Sequence, residues 1–177
     1  MSRVAIFIDG GYVDKVVERE FEGTRLDFLK LSSQAAGSDE RLRTYYYHCP
    51  PFQSSPPTQE ERDRVSRADA FFRQLTLLPR FEVRKGRLQK VGGVFQQKKV
   101  DVLMAIDLVH LAATKQIQRA VLVTGDSDLV PAIELAKFEG VITDLYYHPS
   151  AVHHELFEAV DDRHTIDEEF VKKIRRK

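Results

Sequence analysis

Four aspartates stand where a parallel α/β sheet would gather acidic side chains. One follows a short apolar run near the N-terminus, two lie in the sequence GDSD after a second apolar run, and one opens an apolar helical segment; they are Asp9, Asp126, Asp128 and Asp101. Clustered carboxylates repel one another unless a cation neutralises them or their pKa values rise. Carboxylate oxygens prefer hard divalent cations, so the pattern predicts a Mg²⁺ or Mn²⁺ site.

A metal ion at such a site polarises a phosphoryl oxygen and activates an attacking water, which is the chemistry of phosphodiester hydrolysis. Each aspartate also has a structural explanation, because Asp after a strand often forms a turn or caps a helix. For Asp101 that explanation is a favourable interaction with the helix dipole. Two carboxylates two residues apart, as in Asp126 and Asp128, cost repulsion that capping does not require. Asp107 lies about 9 Å further along the helix axis, so it is predicted to be a hydrogen-bonded core residue.

Composition favours one soluble globular domain over residues 1–177. The 177 residues include 42% hydrophobic and 31% charged side chains, and no apolar run reaches the roughly 18 residues of a membrane-spanning helix. One cysteine excludes an internal disulfide framework. We therefore expect a cytoplasmic protein without a membrane partner. The 27 basic and 27 acidic residues cancel, so net charge does not decide whether nucleic acid is bound.

The elements that must position the aspartates alternate between strands and helices. Strands are predicted at 3–8, 43–48, 120–124 and 141–147, and a hairpin at 81–88 and 94–97. Helices are predicted at 12–20, 26–36, 100–113 and 129–138, after the capping box of Thr58 and Glu61, after Ser150 and after Asp167. This alternation predicts a three-layer α/β fold with a mainly parallel central sheet flanked by helices. Ligands bind such sheets beyond the carboxyl ends of the strands, where the aspartates are expected.

A basic stretch precedes the helix that carries Asp101. It consists of Arg84, Lys85, Arg87, Lys90, Lys98 and Lys99. Cations along one segment can follow a phosphate backbone, so the first four are candidate substrate-binding residues. A solvated hairpin face explains the same pattern equally well.

Three ordered motifs together resemble the NYN domain family, in particular its bacterial LabA-like branch, within the wider PIN-like nuclease fold. They are FIDGGY (7–12), KKVDVLMAIDLVHLA (98–112) and VLVTGDSDLVPAIELAKFEG (121–140). The resemblance spans almost the whole chain and implies a metal-dependent ribonuclease. It places the metal-holding acids at the four aspartates already named. It also implies supporting roles for the hydroxyls of Thr124 and Ser127 and for Lys98 or Lys99 near the scissile phosphate.

Two positions depart from the family pattern. Tyr12 stands where the family usually has an asparagine, so an amide that would position a ligand or water is missing. Lys99 stands where the family often has glycine. The first departure keeps a second hypothesis open, in which the fold serves as a non-catalytic RNA-binding or protein-interaction module. The expected partner is RNA, with single strands favoured; a homo-oligomer is left open.

Other classes of function fit less well. A phosphatase of the haloacid dehalogenase type needs an acid two residues after Asp9, where this chain has Gly11, and another four residues after Asp126, where Val130 stands. No G-x-G-x-x-G sequence follows a predicted strand, which argues against dinucleotide binding. His153 and His154 are adjacent on a helix and therefore point to different faces, which argues against a zinc site.

Overall fold

The structure, a computed structural model, describes residues 2–177, with the backbone alone described for 88–91 and 95–98. The strands are β1 (Arg3–Asp9), β2 (Glu40–His48), β3 (Phe81–Lys85), β4 (Arg87–Val91), β5 (Val94–Lys98), β6 (Arg119–Val123), β7 (Ile142–Tyr147) and β8 (Asp162–Thr165). The helices are α1 (Gly10–Glu20), α2 (Phe28–Ala36), α3 (Gln59–Thr76), α4 (Val100–Ala113), α5 (Val130–Phe138), α6 (His154–Ala159) and α7 (Glu168–Ile174). A short 3₁₀ helix, Ser127–Leu129, precedes α5.

Six strands form one parallel sheet in the order β3-β2-β1-β6-β7-β8. This confirms the predicted three-layer α/β class with a parallel central sheet. The strand β1 lies in the middle, paired with β2 on one side and β6 on the other, as its unbroken apolar sequence predicts. Because β1 and β6 are neighbours and parallel, the residues that follow them meet at one edge of the sheet.

The two faces of β1 contribute to two separate cores. Ala5 and Phe7 pack with residues of α4, α5 and α6 on one face, whereas Ile6 and Ile8 pack with residues of α1, α2, α3 and α7 on the other. Successive side chains of a strand point to opposite faces, so a strand that is apolar at every position requires cover on both. Helices on both faces supply that cover.

The region predicted as one hairpin divides into two structures, which corrects the prediction. Phe81–Lys85 joins the main sheet as an edge strand beside β2, and its Phe81 is buried. The antiparallel hairpin is formed by Arg87–Val91 and Val94–Lys98 alone. Gly86 separates the two, and its N–H donates to the backbone carbonyl of His48. A parallel strand pairs through its backbone and leaves no local sign of its distant partner, which is why the pattern merged the two segments.

Side-chain caps begin several helices as the sequence predicts. Thr58 and Glu61 form a reciprocal capping box at α3, and Asp167 accepts the N–H of Phe170 at α7. Among the residues that the structure describes, no helix is long and apolar enough to cross a membrane.

A candidate metal site at the carboxyl edge of the sheet

Asp9 ends β1 and also caps α1. One of its carboxylate oxygens accepts the backbone N–H of Tyr12 at 3.1 Å, which fixes the side chain at the helix N-terminus. The other oxygen accepts the hydroxyl of Thr124, the residue after β6, at 3.4 Å. Gly10, the residue after Asp9, lies against β2. A Cβ at this position would lie 2.5 Å from the side chain of Tyr46. The glycine therefore lets α1 start directly at the sheet edge.

Thr124 connects the two acidic segments. Its side chain is fully buried, donates to Asp9 and accepts the backbone N–H of Asp126 at 3.3 Å. Asp126 in turn accepts the backbone N–H of Asp128 at 2.9 Å and so caps the 3₁₀ helix. The threonine hydroxyl thus links Asp9 to the loop of Asp126, and the supporting role that the family resemblance implies for it stays a prediction.

Asp9 is a half-buried carboxylate with a second carboxylate nearby. Burial raises the pKa of Asp9 above its usual value; the N–H of Tyr12 lowers it in part, and the charge of Asp126 raises it again. The ionised form of Asp9 is therefore costly unless a cation is present. A bound cation would offset this cost, and the metal site itself stays a prediction.

Asp9 and Asp126 open into one cleft of about 570 Å³. Three segments line it: α1 from its cap to its last turn, the loop after β6 and the loop after β7. The lining residues are Asp9, Gly11, Tyr12, Lys15, Arg19, Gly125, Asp126, Ser150, Ala151, Val152 and His153. Gly125 is needed at the floor, because a Cβ there would lie 2.3 Å from the backbone carbonyl oxygen of Ala151.

The other two predicted acids do not line this cleft. Asp128 is exposed on the 3₁₀ helix and Asp101 lies half-buried in the first turn of α4, which packs against that helix. Within the described part of the chain, no group of three or more His, Cys, Asp or Glu side chains is placed to hold one ion. The structure therefore brings together two of the four predicted acids. Asp126 is turned toward the N–H of Asp128, which fixes it as a cap.

The remaining supporting residues have varied positions. Burial raises the pKa of Tyr12 to about 12, and its hydroxyl accepts the backbone N–H of His148. Lys99 precedes α4 with a φ of +76°, a left-handed conformation that explains the glycine of the family pattern at this position. Ser127 begins the 3₁₀ helix. The side chain of Lys98 lies outside the described residues.

Most of the predicted substrate-binding cations that can be described already have acidic partners. Arg84 makes a two-pronged contact with Asp107, at 2.9 and 3.1 Å, and Lys85 lies 3.5 Å from Asp69. Asp107 also accepts the hydroxyl of Tyr47, in agreement with its predicted role as a hydrogen-bonded residue. Arg87 is exposed. The side chain of Lys90 lies outside the described residues.

Sequence reasoning missed the cations of the cleft, Lys15 and Arg19, and the loop after β7. The one available indication was spacing, because residues 11, 12, 15 and 19 fall on one face of a helix that starts at Asp9. It also missed His48 at the end of β2, whose Nε2 lies 2.8 Å from Asp14. Burial lowers the pKa of His48, but the hydrogen bond and charge of Asp14 outweigh it and raise the pKa overall.

Comparisons with known proteins agree with this fold. A model of the NYN domain matches residues 3–167. The crystal structure of a protein of unknown function from Vibrio parahaemolyticus superposes with a TM-score of 0.68 and 21% identity over 96% of both chains. The uncharacterized protein y4oD of Sinorhizobium fredii is 39% identical over 67 residues, which are 37% of this chain and 31% of that protein's length. The architecture is PIN-like, and neither relative carries an activity in its name.

Proposed function

The chain belongs to the NYN domain family, and from that membership we propose that it is a metal-dependent ribonuclease of the LabA-like branch. The observation that carries the proposal is the pairing of Asp9 with Asp126 in one cleft, where burial and mutual repulsion raise the pKa of Asp9. A bound cation would offset the repulsion between two ionised carboxylates at that position. The substrate in this proposal is single-stranded RNA, and the reaction is hydrolysis of a phosphodiester bond.

The residues of the cleft fit Mg²⁺ or Mn²⁺. Mg²⁺ is usually bound by one or two carboxylates together with waters and substrate phosphates, so the Asp9 and Asp126 pair suffices. When bound, such an ion polarises the phosphoryl oxygen and activates the attacking water. The chain itself fixes the pair: the N–H of Tyr12 and the hydroxyl of Thr124 hold Asp9, while the N–H of Asp128 holds Asp126.

We retain Asp101 and Asp128 in the proposed acid set as outer acids. Asp128 lies two residues from Asp126, and Asp101 lies on the helix that packs against the 3₁₀ helix. Their negative charges would raise the local concentration of cations near the cleft. The single domain over 1–177, the cytoplasmic location and the oligomeric state stay predictions.

The test is cleavage of labelled single-stranded RNA by the wild type and by Asp126→Asn, each with Mg²⁺, with Mn²⁺ and with chelator. We expect cleavage by the wild type with metal, none with chelator, and a loss of at least about 100-fold in Asp126→Asn, the size seen when a group acting on the transition state is removed. Single-stranded DNA is the parallel substrate. Cleavage that survives both chelation and the substitution would show that the acids do not hold a catalytic ion.

Two observations favour the second hypothesis, a non-catalytic RNA-binding module on the same fold. The described residues do not assemble a group of three or more metal-ligating side chains, and Tyr12 replaces the amide expected of the family. The same assay separates the two hypotheses. Tight binding of RNA without cleavage under any metal would favour the binding module.

A further inference from the structure

We propose that Lys15 and Arg19 of α1 form a binding site for backbone phosphates next to the scissile one. In this arrangement a single strand leaves the acid pair along α1 and does not cross the β4–β5 hairpin. The inference rests on the proposed function in one respect: Asp9 and Asp126 are taken as the reaction centre. It adds the direction of the strand and the residues that hold it.

Lys15 and Arg19 lie four residues apart on α1 and are neighbours on its surface. Both are exposed, and both line the cleft that contains Asp9 and Asp126. Neither has an ion pair or a hydrogen bond to any side chain that the structure describes. Because Asp9 caps α1, Lys15 and Arg19 lie about 9 and 15 Å from Asp9 along the helix axis. That spacing suits phosphates that follow the scissile one.

The charges of α1 are separated by face. The acids Asp14 and Glu18 line a different cavity, on the side of α2 and α3, and Asp14 is paired with His48. The cations face the cleft. Lys15 and Arg19 are therefore the charged residues of α1 that line the cleft, and Glu20 at its end accepts the hydroxyl of Ser150. An anionic strand is the ligand class that matches the two cations.

The wall opposite α1 is held in place by contacts to the same helix. The backbone N–H of His148 donates to the hydroxyl of Tyr12 at 3.0 Å, and the hydroxyl of Ser150 donates to Glu20 at 2.6 Å. These bonds tie the loop after β7 to both ends of α1. The cleft is thus formed before a ligand arrives, and its volume is within the usual range for ligand sites.

On the described part of the rival path Arg87 is exposed, but the two cations of β3 that precede the hairpin already have partners. Arg84 is neutralised by Asp107, and Lys85 is shared between Asp69 and the ring of Phe72, whose centre is 5.0 Å away. A phosphate that displaced these partners would leave their acids uncompensated. A phosphate that binds Lys15 and Arg19 displaces no acidic partner that the structure describes, so its binding has no such cost.

The experiment measures binding of a fluorescently labelled single-stranded oligouridylate across a salt series, with chelator present so that binding is separated from cleavage. Each phosphate contact on a single strand adds about 0.7 to the slope of log K against log salt. The double variant K15Q/R19Q should lower the slope by about 1.4 relative to the wild type. The matched control R67Q/R73Q removes two exposed cations from α3 and should leave the slope unchanged. Far-UV circular dichroism checks that each variant is folded.

The outcomes separate this inference from the proposed ribonuclease. An unchanged slope in K15Q/R19Q, or a larger drop in Arg87→Gln than in that variant, overturns the phosphate site even if the wild type cleaves RNA. A slope reduced only in K15Q/R19Q supports the phosphate site even if no metal yields cleavage. No binding by the wild type overturns the inference.

Discussion

The acid pair combines a functional requirement with a cost to stability. Asp9 is placed at the end of a central strand, where burial raises its pKa, and Asp126 adds repulsion. A protein is commonly less stable with such functional residues than with neutral replacements at the same positions. Asp9 also caps α1, and asparagine caps a helix about as well as aspartate. The cap and the charge can therefore be separated in one substitution.

We predict that Asp9→Asn stabilises the metal-free protein at pH 7 by about 1 kcal/mol, the usual gain from such changes, and raises Tm by about 2–4 °C. The folded-state pKa of Asp9 is raised, so the wild type loses stability as the pH rises through that value. Below about pH 4 the carboxyl is protonated in both states and the difference should vanish. Thermal unfolding in chelator over a pH series measures this. An Asn variant that is less stable at pH 7 would contradict the electrostatic account.

The sequence predicted that Asp9 and Asp126 lie at one edge because each follows an apolar strand, and parallel strands deliver such residues to one edge. For Thr124 the prediction came from the family resemblance alone. The sequence did not predict Lys15 and Arg19 as site residues. Whether a cation is free depends on which acids the fold brings near it, and that is decided by contacts between distant segments. For the same reason the sequence did not predict that Arg84 is paired, because its partner Asp107 is 23 residues away.

At the scale of elements, two hydrogen bonds join α1 to the loop after β7, and one of them is made by Tyr12. Tyr12 lines the cleft, and its hydroxyl accepts the N–H of His148. The tyrosine that replaces the asparagine of the family pattern therefore holds a wall of the cleft. A backbone N–H that loses its acceptor costs about 1–3 kcal/mol when it stays buried.

Tyr12→Phe should loosen that wall while leaving the sheet intact. We expect the amide of His148 to exchange with solvent about 5- to 10-fold faster, equivalent to a loss of about 1–1.4 kcal/mol in local stability. Amides of β1 should exchange as in the wild type. Amide hydrogen exchange measures both sets in one experiment. Glu20→Gln is the matched variant on the same helix, and it should affect Ser150 more than His148. If the amide of His148 is as well protected in Tyr12→Phe as in the wild type, the hydroxyl of Tyr12 does not hold the loop.

Elements with strong local patterns were predicted well, and elements defined by distant partners were not. The helix α4 was predicted with the bounds that the structure shows, and β1 was placed correctly at the centre of the sheet. The strand β8 was missed, since its sequence DRHT is polar and its only pairing is to β7 at the edge. Edge strands are short and polar in many sheets, so pattern alone rarely finds them.

At the scale of the molecule, the last helix closes one of the two cores. The matched family region ends at residue 167, yet Val171 and Ile174 of α7 are buried in the core on the side of α1 and α2. The backbone carbonyl of Ile174 accepts the N–H of Asp27, and Arg175 bridges to Leu26. The helix thus packs on the same face of the sheet as α1 and α2.

We therefore predict that α7 and the sheet unfold together. Changing Ile174, which is 1% exposed, to alanine should lower the free energy of unfolding by about 2–5 kcal/mol, because burial is lost and a cavity is left behind. A protein of this size would then lose roughly 4–20 °C in Tm. Far-UV and near-UV circular dichroism should follow one shared transition, whereas Lys177→Ala, at an exposed position, should match the wild type. Two separate transitions, or a change below about 0.5 kcal/mol, would mean that α7 is a peripheral addition. A single lowered transition would instead support one cooperative domain over residues 1–177, because a helix outside the matched region would be shown to hold the core beneath α1.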